Sequence, residues 1–227
     1  MTDTAAPATS LDQLIEREEA VFLARTTRSA ELWRHASTVM PGGVASSWAS
    51  SRPVPVWVDR GLGGHVWDAD GTEYVDMHGG YGVNVVGHAH PAVVEAVQRR
   101  VGLGTHFAQP TEDTIVVGEA LRERFGLPMW RYTNSGTEST MDAVHLMRAI
   151  TGRKLIIKIE GTYHGHHDAL MISSSKAADQ LGPVDDPHRV PGSGIPQEMA
   201  DLVRIVPFND LAALQRVLEA HPGQVAG

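Results

Sequence analysis

Residues 134–140 read Asn-Ser-Gly-Thr-Glu-Ser-Thr, and residues 154–167 read Lys-Leu-Ile-Ile-Lys-Ile-Glu-Gly-Thr-Tyr-His-Gly-His-His. The first stretch opens a helix-like run. The second is an apolar run that ends in a tyrosine and three histidines. Ser135-Gly136-Thr137 falls where the helix should begin, and there free backbone N–H groups and the helix dipole both favour an anion. Gly136 allows close approach to the backbone, and the Ser135 and Thr137 hydroxyls add donors. The plain alternative is an N-cap that satisfies the helix and nothing more. Tyr163 and His164 follow the carboxyl end of an apolar strand, the edge at which ligands bind in open α/β sheets. Either ring can stack on a heteroaromatic; the plain alternative is a polar loop whose tyrosine caps the core. Together the two stretches suit an aromatic ligand that carries a phosphate.

The flanking sequence places these residues in an α/β domain. Glu138–Ile150 has helical spacing, with Met141, Val144 and Met147 on one face and Gly152 after its end. Leu155–Ile159 is apolar apart from Lys158, as suits a strand buried on both sides. Met129–Thr133 reads as another short strand, so residues 129–159 are expected to form a β-α-β unit with a parallel pair. Upstream, Pro91 to about Val101 reads as a helix, and Thr111 is placed to cap a second one that ends at Gly126. Downstream come a loop over 173–199, a strand at Val203–Pro207 and a helix at Leu211–Glu219. Gln224-Val225-Ala226-Gly227 then looks like the start of a further strand.

The amino-terminal part is different. Residues 1–10 read as a floppy tail. Residues 11–39 read as helix, capped by Ser10, with a break near Thr26 and Thr27 and a stop at Pro41-Gly42-Gly43. Val54–Asp59, His65–Asp68 and Glu73–Met77 read as an antiparallel meander, with turns at 60–64 and 68–71. The expected organisation is a tail over 1–10, a helix-and-meander segment over 11–85 and part of a large α/β domain over 86–227.

Composition excludes several function classes. The net charge is -8 with no dense block of Lys or Arg, which argues against nucleic acid or an anionic membrane as the partner. There is no cysteine, hence no disulfide, thiolate metal site or cysteine nucleophile. No apolar run approaches the ~20 residues of a membrane span, and the opening Met-Thr-Asp-Thr-Ala-Ala-Pro lacks the features of a secretory signal. A cytoplasmic location is expected. His164, His166 and Asp168 have the His-x-His-x-Asp spacing of metallo-β-lactamase-type hydrolases, which makes a zinc hydrolase one alternative. Ala169 stands where that pattern continues with another histidine. His88-Ala89-His90-Pro91 is also rich in potential ligands, but a helix start accounts for it. No phosphate-binding Gly-x-x-x-x-Gly-Lys loop and no Gly-x-Ser-x-Gly nucleophile motif occurs.

Seven short motifs then occur in one order: Met40-Pro41-Gly42-Gly43-Val44, Asp68-Ala69-Asp70-Gly71, Gly87-His88-Ala89-His90-Pro91, Asn134-Ser135-Gly136-Thr137-Glu138, Thr151-Gly152-Arg153, Glu160-Gly161-Thr162-Tyr163-His164-Gly165 and Phe208-Asn209-Asp210. From about residue 30 to 227 the chain resembles the class III pyridoxal-phosphate aminotransferases of fold type I, in particular their glutamate-1-semialdehyde aminomutase branch. The resemblance implies an α/β fold in which the helix and meander precede a mainly parallel sheet, incomplete at the carboxyl end. It implies pyridoxal 5'-phosphate as cofactor, its phosphate on Ser135, Gly136 and Thr137, its ring under Tyr163 with His164 beside it, and Glu138 nearby. The implied reaction moves an amino group between an amino donor and an oxo acceptor, or within one molecule as an isomerase does, in a homodimer.

Two departures follow from the same resemblance. The aminomutase's arginine after Pro-Gly-Gly-Val corresponds to Ala49, with Arg52 three residues on, and its tryptophan before the Gly-His-x-His-Pro motif corresponds to Tyr81. Arg52 and Tyr81 are therefore the candidate substrate-binding residues, for a substrate other than glutamate semialdehyde. The lysine that bonds the cofactor and the aspartate that pairs with its ring nitrogen have no counterpart, since Lys154, Lys158 and Lys176 match neither the place nor the motif. No catalytic residue is thus expected within these 227 residues, and a non-catalytic relative acting as a dimerisation or cofactor-binding partner is the other alternative.

Overall fold

The computed structural model describes residues 10–174, 176–183 and 187–227; the expected tail at 1–9 lies outside them. The chain packs as two compact units, divided between Pro110 and Thr111. The expected division before residue 86 separates the meander from the cofactor-binding half, whereas packing alone divides the chain further on.

In the first unit, α1 (Leu11–Arg25) opens with a capping box: Ser10 Oγ accepts from Gln13 N, and Gln13 Oε1 accepts from Ser10 N. The break falls where expected. Thr26 is fully buried, its hydroxyl donates to the Phe22 carbonyl at 2.8 Å, and α2 (Thr27–Ala36) starts directly after it. The free amino end of α2 is filled by Asp70, whose carboxylate accepts from Arg28 N at 2.6 Å, Ser29 N at 2.9 Å and Ser29 Oγ at 2.9 Å. Pro41–Gly43 and Ser47–Ala49 are single 3-10 turns.

The meander forms from β1 (Val58–Leu62), β2 (His65–Asp68) and β3 (Glu73–Val75), all antiparallel. The first strand lies four residues later than the expected Val54–Asp59. Leu62 pairs with His65, so only Gly63 and Gly64 make the turn, and Gly63 supplies the positive φ of a two-residue hairpin. Two helices follow the irregular turn α3 (Gly79–Gly82). They are α4 (Pro91–Val101) in the first unit and α5 (Glu112–Phe125), which opens the second. Neither buries a residue completely. Thr111 precedes α5 as expected, but its side chain makes no capping bond.

In the second unit, α6 (Gly136–Thr151) runs into β4 (Ile156–Ile159), and a long connection with one helical turn, α7 (Gln197–Ala200), leads to β5 (Val203–Val206) and α8 (Leu211–Ala220). β4 and β5 are parallel, with Ile156 opposite Val203 and Ile159 opposite Val206. On the other side of β4, Leu155 N donates to the Gln224 carbonyl at 3.1 Å and Ile157 N to that of Gly227 at 2.8 Å, so where a further strand is expected to start the last residues make a single parallel bridge, Val225 to Leu155. Both flanks of β4 are therefore occupied. The expected strand at Met129–Thr133 finds no partner there and forms no ladder, and the parallel pair joins β4 to β5 instead.

Two groups of apolar side chains are buried against this sheet. Val144 of α6, Ile156 and Leu170 form one buried group, packed by Met147 and Ala226; Ile172, Ala200, Val203 and Ile205 form the other. No helix among the described residues is long and apolar enough to cross a membrane.

Candidate functional site

Ser135 is the N-cap of α6, and its hydroxyl accepts from Glu138 N at 3.2 Å. Gly136 and Thr137, the first two helical residues, lie too early in the helix for their N–H groups to find an acceptor within it. No other described residue takes them. Around Gly136 the space is open; a Cβ built there would meet nothing within 4 Å. The Glu138 carboxylate does not fill that space. It turns back to accept from Asn134 N at 2.6 Å, so it acts on the residue before the cap. The helix thus presents a neutral cap, two unclaimed donors and an open approach.

The loop after β4 is fastened to this end of α6. Thr137 Oγ1 accepts from His166 N at 3.1 Å, and the Thr140 hydroxyl bonds the His164 carbonyl. Gly165, with φ of 108°, lies so close that a Cβ there would be 2.7 Å from Thr137 Cα. Only glycine fits this crossing. Tyr163, 46% exposed, is therefore carried on a loop anchored to the amino end of α6, and its ring is not lost in a packed interior.

Burial and then the nearby Lys158 ammonium hold His164 below the usual histidine range. His167 is lowered by burial as well, against the opposing pull of Asp168, and its Nε2 lies 3.2 Å from Thr140 Oγ1. Both rings are neutral at pH 7. Lys158 itself is 3% exposed, and burial pulls its pKa down to about 8. Its Nζ donates to the Ile172 carbonyl at 2.9 Å and to Ser174 Oγ at 3.1 Å. Ser174 Oγ in turn bonds the Thr162 carbonyl, which ties the tyrosine loop to the neighbouring chain from below.

Tyr81 and Arg52 belong to the first unit. Tyr81 has φ of 63°, donates its hydroxyl to the Trp48 carbonyl at 3.1 Å and packs edge-on against Trp48 and His78. Arg52 is exposed. Trp48 is thus a functional candidate that the sequence did not single out, together with Thr140 and Gly165. Thr140 could have been found from its place one turn after Thr137, and Gly165 from a glycine set between histidines. The zinc alternative fails on geometry. Among the described residues no three His, Asp or Glu side chains come together as a metal site, so His164, His166 and Asp168 do not converge. The loop's fastening to α6 through its backbone at His164 and His166 dictates where these side chains go.

A family model described as aminotransferase class-III matches residues 47–223. Glutamate-1-semialdehyde 2,1-aminomutase from Methanocella arvoryzae is 37% identical over 200 residues, which is 87% of this chain and 45% of that protein. An omega-transaminase from Sphaerobacter thermophilus, known by crystal structure, superposes with a TM-score of 0.82 at 39% identity, over 88% of this chain and 46% of that one. A transaminase solved with PLP bound gives 0.80 at 38% identity over the same shares. The chain spans about half the length of the relatives it matches.

Proposed function

The chain belongs to the class-III aminotransferases, and on that premise we propose that the amino end of α6 and the loop at 161–166 hold pyridoxal 5'-phosphate for amino-group transfer. The observation that carries this reading is the open, neutral-capped amino end of α6, locked to the loop that bears Tyr163. The PLP bound in a transaminase of similar fold supports it.

The N–H groups of Gly136 and Thr137 and the hydroxyls of Ser135 and Thr137 bind the phosphate, with the helix dipole behind them. Tyr163 covers one face of the ring and keeps water from it. Neutral His164 stands beside the ring without adding charge. When bound, the cofactor supplies an electron sink through which an amino group passes from donor to oxo acceptor. Lys158 is not the residue that bonds it, because its Nζ is buried on the Ile172 carbonyl and Ser174. Lys154 and Lys176 match no family position either, and the 227-residue chain does not turn over by itself.

Arg52 and Tyr81 contact substrate in the working homodimer. With Ala49 in place of an arginine clamp, that substrate is not glutamate semialdehyde. Pyridoxamine 5'-phosphate, titrated against the chain with protein fluorescence as readout, tests the site. Ser135→Ala/Thr137→Ala should weaken binding at least about tenfold, the loss expected when hydrogen bonds to a charged group are removed. Equal affinity in the variant, or equally tight binding of pyridoxamine without its phosphate, would overturn the reading. Borohydride treatment with pyridoxal phosphate should label no single lysine stoichiometrically; one fully labelled lysine would refute the claim that the chain lacks it.

A further inference from the structure

Away from α6, the second unit contains a cavity of about 580 Å³ with no acidic residue in its lining among the described residues. Arg204 reaches it from β5, Arg216 from α8, His221 from the end of α8, and His188 and Arg189 from the connection before α7. None of the three guanidinium groups has a carboxylate within ion-pair distance among the described residues. Arg204 is fixed in place: its Nη1 donates to the Asp201 and Val203 carbonyls at 2.8 and 2.9 Å, and its Nε donates to His221 Nε2 at 2.8 Å. The Asp201 carboxylate accepts from Gln197 Nε2 at 3.4 Å. Burial and then Arg204 and Arg189 push His221 below its ordinary range, so like charges crowd this space, with Asp201 acting against them at Arg204.

The lining also includes the apolar side chains of Ile205, Ala213 and Val217. Three guanidinium groups with no ion pair among the described residues suit a ligand with two or more negative charges, such as one that carries phosphate oxygens. The volume lies within the range of small-molecule sites. We infer that this cavity binds a phosphorylated organic anion the size of a nucleoside diphosphate, at a site sharing no residue with the α6 turn.

The test is calorimetric titration of ADP and of pyrophosphate against the 227-residue chain. Saturable binding is expected, with ADP the tighter because its organic part covers the apolar side chains. Arg189→Gln/Arg216→Gln removes two exposed charges that make no hydrogen bond or ion pair among the described residues, and circular dichroism should show the fold retained. ADP affinity should then fall about tenfold or more, as expected for lost charge-assisted bonds. Ser135→Ala/Thr137→Ala should leave ADP affinity unchanged, which separates this site from the cofactor turn. As a measurement on the unaltered chain, ADP should shift the ring nitrogen resonances of His188 and His221. No saturable binding, undiminished affinity in the arginine variant, histidine resonances that do not move, or loss only in the Ser135/Thr137 variant would each overturn the inference.

Discussion

α2 and α6 present the same backbone donors at their amino ends and use them in opposite ways. At α2 the anion is built in: Asp70 reaches back 42 residues to Arg28 N. Burial raises the Asp70 pKa, but the Arg28 and Ser29 bonds outweigh it and hold the carboxyl below its ordinary range. At α6 the cap is the neutral Ser135 hydroxyl, the first-turn acid Glu138 is turned onto Asn134, and the N–H groups of Gly136 and Thr137 are left for something else. A helix amino end alone says little about binding. What distinguishes a site is that the protein withholds its own anion and keeps the approach clear.

The comparison can be strained at several points. The largest expected effect is at the crossing that serves α6. Gly165→Ala puts a Cβ into the Thr137 backbone at positive φ, and should cost roughly 4 kcal/mol and detach the tyrosine loop. Gly152→Ala, at φ of 67° but with nothing within 4 Å, should cost only about 1 kcal/mol in the same melting experiment. Equal losses would mean that conformation, and not the close crossing, is what matters at residue 165.

Lys158 comes next. Its folded pKa of about 8 lies below the ordinary 10.5, so between these values the unfolded chain binds more protons and stability rises with pH. The gain from pH 8 to 10.5 should be at most about 3 kcal/mol, and Lys158→Met should abolish that slope in denaturant titrations. A slope unchanged in the variant would show that the ammonium is not desolvated.

At α2, Asp70→Asn should lower stability by about 1–2 kcal/mol at pH 7. The loss should shrink as pH falls through the depressed pKa of Asp70, because the wild-type carboxylate is neutralised there too. Binding of pyridoxamine phosphate should not change. A change would couple the two ends and spoil the contrast.

Much of this was legible in the sequence because it is local. Ser10 with Gln13, the interruption at Thr26 and the Gly126 and Gly152 ends of α5 and α6 depend on neighbours within a turn. The face of Val144 was also readable from pattern. What escaped depends on distant partners. The register of β1 was decided by its pairing with β2, and Met129–Thr133 reads like a strand but has no strand to pair with. At the proposed site, the cap at Ser135 and the helix start at Gly136 were legible from their types. The role of Asp70 as a remote cap, the anchoring by Thr140 and the burial of Lys158 came only with the fold. The arginine cavity draws on β5, α8 and the connection before α7, so no single stretch announces it.

The most direct measurement is to give α6 what α2 already has. Ser135→Asp keeps a good N-cap, so melting should be unchanged or slightly improved. A fixed carboxylate at the proposed phosphate position should nevertheless reduce affinity for pyridoxamine 5'-phosphate by about 100-fold or more, since like charges in contact cost several kcal/mol. Retained stability with lost binding is the result this account predicts. A variant that binds as tightly as the wild-type chain would place the phosphate somewhere other than the amino end of α6.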